Sequence, residues 1–76
     1  MKVKVILTGS ELVEGLELRI YRNSIKGTFI KRSQGQVFLK LEGDFQHIPN
    51  EEGLHGFPET GQFEVLDPIT YLKNIF

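Results

Sequence analysis

Apolar and polar positions alternate along much of the chain. In "KVKVIL", residues 2–7, Val3, Val5 and Leu7 fall on one face, with Lys2 and Lys4 on the other. "LELRIY", residues 16–21, sets Leu16, Leu18 and Ile20 against Glu17, Arg19 and Tyr21. "QVFLKLE", residues 36–42, has the clearest pattern. Val37, Leu39 and Leu41 share one face, while Gln36, Phe38, Lys40 and Glu42 share the other. "TFIKR", residues 28–32, and "QFEVL", residues 62–66, are two shorter stretches of the same kind. A period of two marks a half-buried strand, so five strands are expected.

The intervening segments carry turn chemistry. "TGSELVEG" reads as a turn with room for one short helical turn, and "RNSIKG" as a second turn. "SQG" offers a tight connection in which Gly35 can take a positive φ. Residues 43–61 are broken by Gly43, Pro49, Asn50, Gly53, Gly56, Pro58 and Gly61, which predicts a long loop. Phe45, Ile48, Leu54 and Phe57 can peg that loop to the rest of the protein, with room for a short strand at residues 45–48. In "DPITYLKNIF", Asp67 can cap a helix and Pro68 suits its first position. Ile69, Leu72 and Ile75 or Phe76 recur at helical spacing, and a helix so short must dock on the sheet.

A chain of 76 residues suits one domain, residues 1–76. Short strands cannot bury both faces of a flat sheet in so little chain, and curling solves this. The expected fold is therefore all-β: a small five-stranded, mostly antiparallel barrel or half-barrel with a short C-terminal helix. A curled sheet with the helix packed across one face is the other arrangement the pattern allows.

"KGTFIKRSQGQVFLKLE", residues 26–42, resembles the central hairpin of SH3-like barrels, including Tudor-like and KOW-like domains. "GQFEVLDP" is similar to their closing strand and the turn after it. The resemblance covers roughly half of the chain and leaves residues 43–61 without a counterpart. It implies an SH3-like barrel that binds nucleic acid, peptides or partner subunits. The aromatic cage of Tudor-like domains does not map onto this sequence.

Composition excludes several chemistries. There is no cysteine, so disulfides, thiol catalysis and cysteine-ligated zinc are out. No stretch approaches the ~20 apolar residues of a membrane span, and the start lacks the long apolar run of a signal peptide. A soluble, cytoplasmic protein is expected. The net charge is -1, but its distribution is uneven. Arg19, Arg22, Lys26, Lys31, Arg32 and Lys40 occupy residues 18–40 without an acid. Glu42, Asp44, Glu51, Glu52, Glu59, Glu64 and Asp67 occupy residues 41–67 without a base. Six positive charges against seven negative either build two unlike faces or intermix when the strands pair.

Candidate chemistry follows from these placements. His47 and His55 flank Glu51 and Glu52, but Pro49 and Gly53 between them rule out a shared helix face. Neither a metal site nor a cofactor is expected. Glu51, Glu52 or Glu59 beside His55 could do acid–base work, yet no nucleophile elbow or phosphate loop accompanies them, and no enzyme is expected. The first binding expectation is protein docking through the 43–61 loop. Ile48, Leu54 and Phe57 would be the apolar anchors, and Glu51, Glu52 and Glu59 the acidic frame. The partner would be another protein or complex. The alternative is single-stranded nucleic acid on an outer sheet face carrying Arg19, Tyr21, Phe29, Lys31, Phe38 and Lys40. That face needs Phe29 and Phe38 exposed, whereas aromatic rings in so small a domain also serve as core or cover.

Overall fold

A computed structural model describes residues 3–21, 23–43 and 48–75. Six strands form one sheet: β1 (Ile6–Thr8), β2 (Glu17–Ile20), β3 (Lys26–Ser33), β4 (Gln36–Leu41), β5 (His55–Pro58) and β6 (Gln62–Val65). A 3-10 turn, Gly9–Glu11, follows β1, and the helix α1, Pro68–Ile75, follows β6. The spatial order is β1-β6-β2-β3-β4-β5, and every neighbouring pair is antiparallel. The chain is thus mostly antiparallel β-sheet with one short C-terminal helix, as the alternation predicts. The strand count differs, at six rather than five. The added strand, β5, lies inside the expected loop and pairs with β4, from Gln36 opposite Pro58 to Leu39 opposite His55. The short strand considered for residues 45–48 lies largely outside the described residues.

The sheet must curl. β5 and β6 stand four places apart in the strand order, about 19 Å in a flat sheet at ~4.8 Å per strand. Only residues 59–61 connect them, which reach ~14 Å when fully extended. Curling brings Phe57 of β5 edge-on to Phe63 of β6, with ring centroids 6.3 Å apart. The ladder itself is not closed, and β1 and β5 are its two edges. Just past their ends, the Gly9 N–H donates to the Glu59 carbonyl at 2.8 Å. Glu59 in turn donates its N–H to the Gly35 carbonyl at the tip of the β3–β4 hairpin, at 2.9 Å.

The concave face holds the core. Leu7, Leu12, Leu18, Phe29, Val37, Leu39, Phe63 and Val65 are buried together, with Val5, Leu16, Ile20, Leu41, Phe57 and Tyr71 packed against them. Strand alternation therefore selects the inner positions correctly on β2 and β4. On β3 it fails at one place. Phe29 pairs with Leu39, but the next pair is Lys31 with Phe38, so Ile30 is an extra residue in β3. Such a bulge shifts the phase of the strand by one. Phe29 turns inward, Lys31 turns outward, and Arg32 returns to the inner side opposite Val37.

The helix begins as expected. Asp67 Oδ1 accepts the Thr70 N–H at 3.2 Å, and the Asp67 carbonyl accepts the Tyr71 N–H at 3.1 Å. Of the residues expected to dock it, Leu72 is half-buried and Ile69 stays half-exposed, while Tyr71, which was not among them, packs on the core. The Ile75 side chain and Phe76 lie outside the described residues.

Candidate functional site

The acidic, apolar segment expected to dock a protein is divided by β5. Asn50 braces the turn before that strand. Its Oδ1 accepts the N–H groups of Glu52 and Leu54, each at 2.9 Å, and its backbone N–H donates to the Leu54 carbonyl at 2.8 Å. This self-closing arrangement is what an asparagine side chain offers a turn. Leu54 is drawn inside by it and is only 7% exposed. Phe57 is half-buried beneath its contact with Phe63. Glu59 lies 3.5 Å from the Arg32 guanidinium, at the seam between the sheet edges. Ile48 is the opposite case, 93% exposed, with Glu51 and Glu52 in solvent beside it. Leu54 and Phe57 are therefore parts of the packed protein, and Ile48, Glu51 and Glu52 remain on the surface.

The aromatic and basic face is reduced in a different way. Phe29 does not belong to it, because it stands opposite the inward-facing Leu39, 4% exposed, and the bulge at Ile30 separates its face from that of Lys31. Phe38 does lie on the outer face, half-buried over Gly56, with the Lys31 ammonium 5.7 Å from its ring centre. Lys31 also pairs with Glu52. Tyr21 is half-buried with the Lys4 ammonium 5.9 Å from its ring centre. Arg19 is half-buried opposite Glu64, and Lys40 is exposed opposite Thr28. Strand pairing thus mixes the charges that the sequence segregates. Lys31 meets Glu52, Arg32 meets Glu59, and Arg19 lies beside Glu64.

Among the described residues, no three His, Asp or Glu side chains converge in a way that could hold a metal ion. His55 sits on the inner side of β5, opposite Leu39. His47 lies outside the described residues.

Two features escape the sequence reading. One is Arg32, whose Nη2 donates to the carbonyls of Gly9 at 2.7 Å and Leu12 at 2.8 Å, while its Nε donates to Gly9 at 3.1 Å. Its guanidinium lies 5.2 Å from the Phe29 ring centre, so it spans the open side of the sheet over an aromatic floor. The other is a groove of about 620 Å³ between the 13–17 segment and α1. In the sequence, "ELVEGLELRI" reads as a turn and a strand; its interleaved acids and aliphatics, Val13, Glu14, Leu16 and Glu17, were the signal for such a surface. No helix of the described residues is long and apolar enough to cross a membrane. Comparisons of the chain with protein families, with curated proteins and with solved structures find no match.

Proposed function

We propose that this chain is a non-enzymatic protein-binding module, a small subunit or regulator that docks on another protein through the acidic turn at residues 48–52. The exposure of Ile48 carries the reading. An almost fully solvated isoleucine next to a turn held by four hydrogen bonds made by Asn50 is an apolar anchor presented at little ordering cost. Glu51, together with Glu52, whose carboxylate is shared with Lys31, supplies the polar rim and favours a basic partner surface. The proposed architecture is an SH3-like barrel or half-barrel. It is supported by the curl that brings Phe57 to Phe63 and by the contact between Gly9 and Glu59.

Single-stranded nucleic acid is the weaker reading. Of its three rings, Phe29 is internal, and Lys31, beside Phe38, already pairs with a carboxylate. A photo-crosslinking residue at position 48, with a second at Ser24 as control, separates the readings in an extract of the cells the protein comes from. Docking predicts one discrete protein adduct from position 48, lost when Glu51→Lys and Glu52→Lys are combined, and none from position 24. Equal labelling from both positions counts against it. So does salt-sensitive retention of the protein on a single-stranded DNA or RNA column without any adduct at position 48.

A further inference from the structure

We infer that the groove between the 13–17 segment and α1 is a second docking site, which accepts a peptide segment of another protein bearing a lysine or arginine beside an apolar side chain. Its floor is the β2–β6 ladder, where Leu18 pairs with Val65 and the Leu66 N–H donates to the Glu17 carbonyl at 3.2 Å. One wall is a turn held in place from both sides. The Leu16 N–H donates to the Val13 carbonyl at 3.1 Å, and the Gly15 N–H reaches the Phe29 carbonyl at 2.9 Å. The opposite wall is the first two turns of α1, with Tyr71 anchored on the core. Both walls are built on hydrogen-bonded elements, so the groove exists before any ligand arrives.

Its lining selects the occupant. Val13, 57% exposed, with the outward parts of the half-buried Leu16 and Tyr71 beside it, offers an apolar surface. Three carboxylates, Glu14, Glu17 and Asp67, also line it, with no lysine, arginine or histidine among the lining residues. Thr70 hydrogen bonds hold the Asp67 carboxyl below its usual range, through the side chain and then the backbone, so this group stays charged at neutral pH. A volume of about 620 Å³ lies in the range of small-ligand pockets and has room for two or three side chains. An apolar floor under a rim of three carboxylates, with Lys73 of α1 acting on Asp67 from outside the lining, suits an ammonium or guanidinium whose neighbour is aliphatic. The same rim repels phosphate, which excludes nucleic acid and anionic lipid surfaces here.

The test uses three synthetic peptides and amide chemical shifts of the whole chain. The first is acetyl-Ala-Leu-Arg-Leu-Ala-amide; the others replace its arginine with glutamate or both leucines with serine. The proposal predicts that the first peptide shifts amides of residues 13–17 and 66–74, and that either replacement weakens binding at least tenfold. Combining Glu14→Gln with Glu17→Gln, both on the surface, weakens the first peptide about tenfold while leaving the amide spectrum that of the folded chain. Ile48→Ser leaves it unchanged, which keeps this site separate from the turn at residues 48–52. The inference is overturned if the first peptide shifts nothing up to its solubility limit, if the glutamate peptide binds equally, or if the shifts map elsewhere. Shifts of residues 13–17 that grow with protein concentration alone also overturn it, because the occupant would then be a second copy of this chain.

Discussion

Gly9 shows how much one position can decide. A Cβ there would lie 2.6 Å from the Glu59 carbonyl oxygen and 2.9 Å from Val37 Cγ1, so the two sheet edges meet only where a side chain is missing. Gly9→Ala should therefore cost about 1–3 kcal/mol in urea unfolding, the usual penalty for forcing atoms into a packed contact. Unchanged stability would mean that the edges do not approach there. Nothing in "TGSEL" marks this glycine apart from an ordinary turn glycine, since the contact is made by a residue fifty positions away. The β3–β4 turn is the opposite case. Gln34 and Gly35 have φ values of 51° and 78°, a turn with two left-handed residues. The glycine was readable from "SQG", but the glutamine, which adopts that region against its own preference, was not. Phe29 was misplaced for a third reason. Alternation assumes constant phase, and one extra residue at Ile30 breaks it.

The elements divide by how local their causes are. β2 and β4 have strong alternation, and their inner faces are the ones the sequence predicts. β1 is shorter than "KVKVIL" suggests, although the Val5 carbonyl still accepts the Val65 N–H at 2.9 Å. β5 was illegible because "HGFP" holds a glycine and a proline, and its stability comes from pairing with β4 rather than from its own residues. α1 was legible because its start is encoded locally by Asp67 and Pro68.

That cap gives the helix a pH dependence. Hydrogen bonds from Thr70 lower the Asp67 pKa in the folded chain. A depressed folded pKa contributes stability above the unfolded value, and this is lost as pH falls through the folded one. Glu11, lowered by the backbone and then the side chain of Thr8, behaves in the same sense. The Tyr71 and Asn74 amide signals should thus move toward unstructured values as pH drops below the ordinary carboxylate range. Asp67→Asn, which keeps a capping oxygen but does not titrate, should flatten that dependence. An identical acid profile in the variant would remove Asp67 as the cause.

In the molecule as a whole, the curled sheet brings together residues that lie far apart in the chain. The charge pattern alone left open whether two unlike faces form, and pairing of opposite charges decided it locally. The exposed Lys31–Glu52 pair contributes little to stability. Arg32 is different, because it donates to two carbonyls and lies over Phe29 while remaining partly solvated. The curl packs Phe57 against Phe63, whereas Leu54 is drawn in by the Asn50 turn and the floor of the acidic groove comes from the pairing of β2 with β6. That floor could not be read from one segment at a time, since it joins residues distant in sequence.

The exchange rate of the Gly9 amide hydrogen, followed by NMR in the native chain and in Arg32→Ala, tests the curl most directly. The account predicts that Gly9 is protected to the same degree as amides of the β3–β4 ladder. It also predicts that Arg32→Ala, losing about 1–3 kcal/mol of charge-assisted hydrogen bonding, speeds exchange at Gly9 more than within that ladder. A Gly9 amide that exchanges like an unstructured peptide in the native protein would contradict it, because the two edges of the sheet would then not meet.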